Sequence, residues 1–277
     1  MIIDAHQHFW NLKKVYYPYF GPFSGSINRN FEPPELEPQL KSVGIDKTVL
    51  VQAMDSYEDT YYMFDIGEKY DWVGGIVGWV PLYKPEEAQK KLEEFTKNPK
   101  FKGVRHLIHE EKNPDWLLRE DVIEGLKVLA SFDIPFDVVA VWPNHLKHVP
   151  TLAEKIPNLK MVIDHLAKPP IKDKKMEPWA TELKRAAEYP QVYAKISGLN
   201  TAADWETWSA DDLKPYIDFA IETFGANRLM FGSDWPVLTL AGDYKKVWEE
   251  TNAALKGYSK EEIDAILGGT AIEFYKL

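Results

Sequence analysis

Short apolar runs rich in β-branched residues recur along the chain at Ile2 to His6, Thr48 to Gln52, Val73 to Val80, Phe101 to His106, Phe136 to Val141, Lys160 to Asp164, Val192 to Ser197 and Leu229 to Ser233. Each has the length of a buried strand. Amphipathic stretches of helical period separate them. Ala88, Leu92 and Phe95 stand at i, i+4 and i+7 in one, and Val122, Ile123, Leu126, Leu129 and Ala130 form an apolar stripe in another. The last stretch opens with the capping box Ser259 to Glu262 and is expected to stop at Gly268-Gly269.

Strands alternating with helices pair in parallel through crossover helices, and eight such units close a (β/α)8 barrel, the TIM barrel. The pattern therefore predicts an α/β fold with one barrel domain over residues 1–277. A doubly wound open sheet is the architectural alternative. Its usual dinucleotide reading lacks support, because no Gly-x-Gly-x-x-Gly follows a strand. Three strand-to-helix connections, at about 9–34, 167–176 and 198–211, are longer than α/β units need and are expected on the C-terminal rim, where barrel active sites are built. The first carries the aromatic run Tyr16 to Phe23 and the third carries Trp205 and Trp208. Such residues either pack the loop to the barrel or wall a site for an organic ring.

Charge narrows the partners. The chain has 43 acidic against 33 basic side chains, a formal net charge of −10, with no cluster of Lys and Arg. Nucleic acid and anionic membranes are excluded as partners on that ground. No run approaches 18 apolar residues and the opening Met-Ile-Ile-Asp-Ala-His has no basic or apolar signal region, so a cytoplasmic location is expected. There is no cysteine, so any metal must be held by His, Asp or Glu.

Candidate chemistry clusters at strand ends. His6 and His8, two apart on the first strand, face the same way and can hold a divalent cation or bond an oxyanion. At the end of the sixth strand, alternation sends His165 into the barrel mouth and Asp164 elsewhere, and Lys168 reads as solvated or as pinning its loop. Asp234 follows the eighth strand beside Trp235-Pro236, where a carboxylate could activate water or cap the next helix. Arg105, after the fourth strand, offers a fixed fork to a carboxylate or carbonyl oxygen, or else a structural ion pair. Of Lys195 and Ser197, one is expected to face the site. His109, His145 and His148 fall in loop or helix contexts and read as surface residues.

Together, His6-Gln7-His8-Phe9-Trp10, Gly103-Val104-Arg105-His106, Asp164-His165-x-x-Lys168-Pro169, Lys195-Ile196-Ser197-Gly198-Leu199 and Gly232-Ser233-Asp234-Trp235-Pro236 resemble the amidohydrolase superfamily. The similarity is to its branch of sugar-lactone and pyrone-dicarboxylate lactone hydrolases and runs to the closing Gly268 to Leu277. It implies an amidohydrolase-like barrel that opens an aldonolactone such as L-fucono- or L-rhamnonolactone, with a small-molecule lactone as partner. By resemblance Asp234 and His165 are catalytic, and Arg105, His106, Gln52, Trp79, Trp142, Ser197 and Trp235 contact substrate. The chain departs from binuclear members, since its fourth strand ends in Arg105-His106 and its fifth in Val141-Trp142. That leaves one divalent cation, zinc or manganese, on His6, His8, His165 and Asp234, or a metal-free site in which those groups meet substrate directly. The expected chemistry is water activation by Asp234, with the histidines and Arg105 stabilising the oxyanion. The alternative on the same residues is a metal-dependent decarboxylase of an aromatic or unsaturated acid. Neither the particular lactone nor the oligomeric state is fixed by these motifs.

Overall fold

The computed structural model describes residues 1–21 and 24–277, so Pro22 and Phe23 of the aromatic run lie outside the described residues. Eight parallel strands form one sheet in sequential order: β1 (Ile3–Gln7), β2 (Lys47–Val51), β3 (Val73–Gly78), β4 (Phe101–His106), β5 (Phe136–Val138), β6 (Met161–Ile163), β7 (Val192–Ile196) and β8 (Leu229–Phe231). Sequential order distinguishes a barrel from a doubly wound sheet, in which the order reverses at a switch point. The residues after β8 return to β1 through Asp234 N to His6 O (2.8 Å) and His8 N to Trp235 O (2.7 Å). The fold is a TIM barrel.

Helices α1 (Pro33–Val43), α2 (Tyr57–Lys69), α3 (Pro85–Phe95), α4 (Glu120–Ser131), α5 (Val149–Lys155), α6 (Trp179–Ala187), α7 (Ala210–Phe224) and α8 (Tyr244–Ala254) follow the strands in turn. The apolar stripes read from the sequence are their inner faces: Ala88, Leu92 and Phe95 of α3 and Val122, Leu126 and Leu129 of α4 are buried. No helix among the described residues is long and apolar enough to cross a membrane.

The capping box at Ser259 and Glu262 is present and opens α9 (Lys260–Asp264). The expected stop at Gly268-Gly269 is corrected by the structure. The chain runs through a π-helical turn at Ala265–Gly269 into α10 (Thr270–Tyr275). Gly268 serves close approach instead, since a Cβ there would stand 2.2 Å from Met1 O. The passage of α10 under the barrel places Ala271, Phe274 and Tyr275 against Ile3, Ala5, Val49, Val51, Val77, Val162 and Met230. Only the lumen brings residues of β2 and β6 together, so this second core is the barrel interior, closed from below by the C-terminal helix.

Candidate active site

The site begins with a bulge. Ile3 and Asp4 pair with Lys47 and Thr48, but Gln7 pairs with Leu50, so β1 spends one residue more than β2 between these pairs. Ile3 and Ala5 face the lumen below the bulge, and His6 and His8 are turned inward above it. Without the extra residue His6 would share the outward face of Asp4, whose carboxylate binds Ser233 N (2.8 Å) and the Tyr244 hydroxyl (2.9 Å).

The His8 tautomer follows from a fixed partner. His8 Nδ1 donates to Val51 O (2.7 Å), which leaves a lone pair on Nε2. Arg105 Nη1 lies 3.4 Å from His6 Nε2, and a guanidinium only donates, so this contact favours a lone pair on that nitrogen too. The two Nε2 atoms stand 3.1 Å apart. Asp234 Oδ1 lies 3.5 Å from His8 Nε2, 3.8 Å from His6 Nε2 and 3.9 Å from His165 Nε2. Two facing lone pairs beside a carboxylate oxygen fit one divalent cation: His6, His8 and Asp234 can hold it, with His165 adjoining. The other His and Asp grouping, His6 with Asp164 and His165, shares His6 and has Lys195 Nζ 3.1 Å from Asp164 Oδ1. The donor set therefore suits a single ion.

After β6 the alternation expected for Asp164 and His165 fails. His165, Leu166, Ala167 and Lys168 all have positive φ, at 55°, 49°, 61° and 55°. A left-handed turn of non-glycine residues costs ~1–2 kcal/mol per residue, and such strain concentrates at functional sites. The turn starts where β6 ends, so Asp164 keeps the inward parity of Val162, with Oδ1 3.2 Å from His6 Nδ1, while His165 is swung back to the mouth. Ser197 Oγ bonds His165 Nδ1 at 2.8 Å. Lys195 and Ser197 are two apart and share a face, so both point inward, correcting the expectation that only one would. Asp234 is likewise left-handed, at φ 62°. Its carboxylate turns to the imidazoles and to Lys168 Nζ (3.8 Å from Oδ2) rather than capping a helix.

A cavity of about 560 Å³ opens above these groups, lined by His8, Arg105, His109, His165, Lys168 and Asp234 at its polar end. Trp10, Tyr19, Phe20 and Trp205 wall it, whereas Tyr17 is buried against Asp59 (2.7 Å) and Trp208 against Ala241 O (2.6 Å). Each reading of the rim aromatics thus applies to different residues. Several expected substrate contacts stand behind the lining. Arg105 takes the inward parity of β4, which sends His106 outward to stack on Trp116 (centroids 4.0 Å apart), accept from Trp79 Nε1 (3.1 Å) and meet Glu111 (2.8 Å). Gln52 is fully buried and bonds Asp55 and the Arg105 carbonyl. Ser197 bonds His165, Trp235 packs between Phe9 and Phe31, and Trp142 is half-buried beside Ala167, because β5 ends at Val138 and not at Val141.

The surface reading holds for His109, which is exposed at the edge of the cavity, and is corrected for His145 and His148, which are buried. Lys168 does pin its loop, through Thr201 Oγ1 (2.9 Å) and Gly198 O (3.3 Å), and it also lines the cavity. The sequence reading passed over Asp137 of β5. A carboxylate between Phe136 and Val138, at the inward parity of its neighbour Arg105, was the available signal.

Burial lowers His165 to about 3 and holds His6 and His8 below the ordinary histidine value, so these rings are neutral near pH 7. Burial alone would raise Asp234. His165, His8 and Lys168 outweigh it and hold the carboxyl well below the usual range, so the group is ionised. Asp164 is held down in the same way by Lys195, His6 and Arg105.

An L-fucono-1,5-lactonase of Burkholderia ambifaria is 35% identical to this chain over 99% of it and 95% of the relative. An amidohydrolase from Burkholderia multivorans, crystallised with zinc bound, superposes with a TM-score of 0.92 at 30% identity, covering 100% of this chain and 99% of that one. A 5-carboxyvanillate decarboxylase of Sphingomonas paucimobilis shares only the fold, with a TM-score of 0.68 at 11% identity over 100% of this chain and 99% of that one. The family model described as amidohydrolase matches residues 3–277, which takes in all eight strands and every strand-end group described above, and the chain belongs to that family.

Proposed function

We propose that this chain is a carboxylic-ester hydrolase that opens the ring of a sugar lactone, an aldonolactone of the L-fucono-1,5-lactone kind. The observation that carries this reading is Asp234: an ionised carboxylate on a substrate-sized cavity, with Oδ1 toward three imidazoles and Oδ2 toward Lys168. The similarity to the Burkholderia lactonase supports the substrate class.

In this reading Asp234 takes a proton from water as the water oxygen bonds to the lactone carbonyl carbon. Arg105 and Lys168, the cationic donors on the cavity, stabilise the oxyanion, and one such donor is worth ~3–4 kcal/mol in the transition state. The ring C–O bond then breaks as Asp234 returns its proton to the ring oxygen. The product is a hydroxy acid whose carboxyl ionises and releases one proton. A divalent cation held by His6, His8 and Asp234 supplies Lewis-acid polarisation of a carbonyl oxygen when bound. The decarboxylase alternative lacks a histidine on β5, where Asp137 is already engaged by Lys195 (2.5 Å) and Tyr275 (2.8 Å).

The test is proton release in weak buffer on a panel of 1,4- and 1,5-aldonolactones, with chelated and zinc-supplemented enzyme side by side. Turnover on a 6-deoxy-aldonolactone is expected. Silence on every lactone in both conditions refutes the reading.

A further inference from the structure

Beneath the cavity lies a buried cluster whose centre, Lys195, Asp137 and Asp164, the reaction does not use. Lys195 Nζ is 2.5 Å from Asp137 Oδ2, 3.1 Å from Asp164 Oδ1 and 3.0 Å from His6 Nδ1. Tyr275, from the helix that closes the barrel floor, donates to the same Asp137 Oδ2 at 2.8 Å. Arg105 Nη1 stands 3.3 Å from Asp164 Oδ2. Two carboxylates face two cations, all of them buried, a balance that a buried charge requires.

His6 Nδ1 has both an acceptor, Asp164 (3.2 Å), and a donor, Lys195 (3.0 Å), within reach. The choice between them decides the ring. Bonded to Asp164, Nδ1 carries the proton and Nε2 offers its lone pair above. Bonded to Lys195, Nδ1 must be the lone pair, and Nε2 would present a proton to the donor Arg105 and to the site of the cation. We propose that Lys195 and Asp137 are positioning residues for His6: Asp137, oriented by Tyr275, takes the shortest Lys195 contact (2.5 Å against 3.0 Å to His6 Nδ1) and so competes with the ring for that donor, and the ring keeps its proton toward Asp164 and presents Nε2 to the cavity. A metal-binding histidine is oriented by the partner of its other nitrogen. Here that partner is chosen by a pair on β5 and β7 that touches neither substrate nor ion.

The tautomer is read directly, so failure of this proposal is distinct from failure of the lactonase reading. Ring ¹⁵N shifts of labelled, chelated enzyme, with His6 assigned through His6→Gln, are expected to show the proton on Nδ1. Asp137→Asn releases Lys195 to His6, moves the proton to Nε2 and weakens zinc binding, measured against a chromophoric chelator, by about 10- to 100-fold. Asp137→Asn with Lys195→Met removes the competing donor together with the charge it balanced, and restores both the Nδ1 proton and zinc affinity to within about threefold of wild type. A role in stability alone would not give that rescue. A wild-type ring protonated on Nε2 overturns the proposal whether or not any variant folds. So do an unchanged tautomer and affinity in Asp137→Asn, or a double variant as impaired as the single one.

Discussion

Gly198→Ala tests whether the groups at the mouth must stand where they do. Gly198 has φ +56°, and a Cβ there would lie 2.7 Å from Asp234 Oδ2, 2.8 Å from His165 Nδ1 and 3.0 Å from Lys168 Nζ. Two effects are superposed. The backbone strain of a non-glycine residue at this φ is ~1–2 kcal/mol, which lowers Tm by about 2–8 °C for a chain of this size. The contacts act on geometry instead. Ordinary separation near ~3.5 Å requires Asp234 to retreat by roughly 0.8 Å, and displacements of about 1 Å reduce turnover by about 100-fold. Gly44→Ala separates the two, because Gly44 has φ +78° with nothing within 4 Å of its would-be Cβ and caps α1. Proton-release kinetics and thermal melts on both variants should show similar Tm losses, with kcat lowered about 100-fold in Gly198→Ala alone. A Gly198→Ala enzyme with kcat within threefold of wild type would refute the argument that the mouth geometry is tightly held.

Asp234→Asn removes the base while keeping its shape and should lower kcat by about 10²–10⁴ with little change in Tm; near-normal turnover would exclude Asp234 as base. If His6, His8 and Asp234 hold zinc, the ion at about 100 times its Kd should stabilise the chain by ~2.7 kcal/mol, seen as a melting temperature that rises with zinc and falls on chelation; identical melts would count against the site. Burial raises Asp59, which pins Tyr17, from 3.8 to about 6. The folded-state value lies above the unfolded one, so this group's stability contribution is full below pH 3.8 and is lost as pH rises through about 6, a change of ~3 kcal/mol. Asp59→Asn should therefore gain on wild type in denaturant melts between pH 4 and 7.5, and a constant difference would contradict the assignment.

Much of the scaffold is written locally. Strand runs such as Phe101–His106 and the capping box at Ser259 depend on side-chain pattern and short-range hydrogen bonds, and the structure keeps them. His6, His8, His165 and Asp234 were legible for a related reason: polar groups ending apolar strands of a barrel have the mouth to face. Alternation fails where the backbone departs from a strand. The bulge in β1, the left-handed turn from His165 to Lys168 and the early end of β5 each change which way the following side chains point, and none has a local signature.

The sequence by itself determined the alternating strands and helices and the residue types gathered at the strand ends, because periodicity and composition act through neighbours in the chain, whereas the sequential strand order that makes the sheet a barrel is read from the structure. Only the tertiary structure decided that Asp164 and Lys195 turn inward, that Gln52 and His106 stand behind the cavity, and that Tyr275 reaches Asp137 across 138 residues of chain. Those outcomes are set by closure of the barrel, which packs distant strands into one lumen and requires every charge buried there to find a partner.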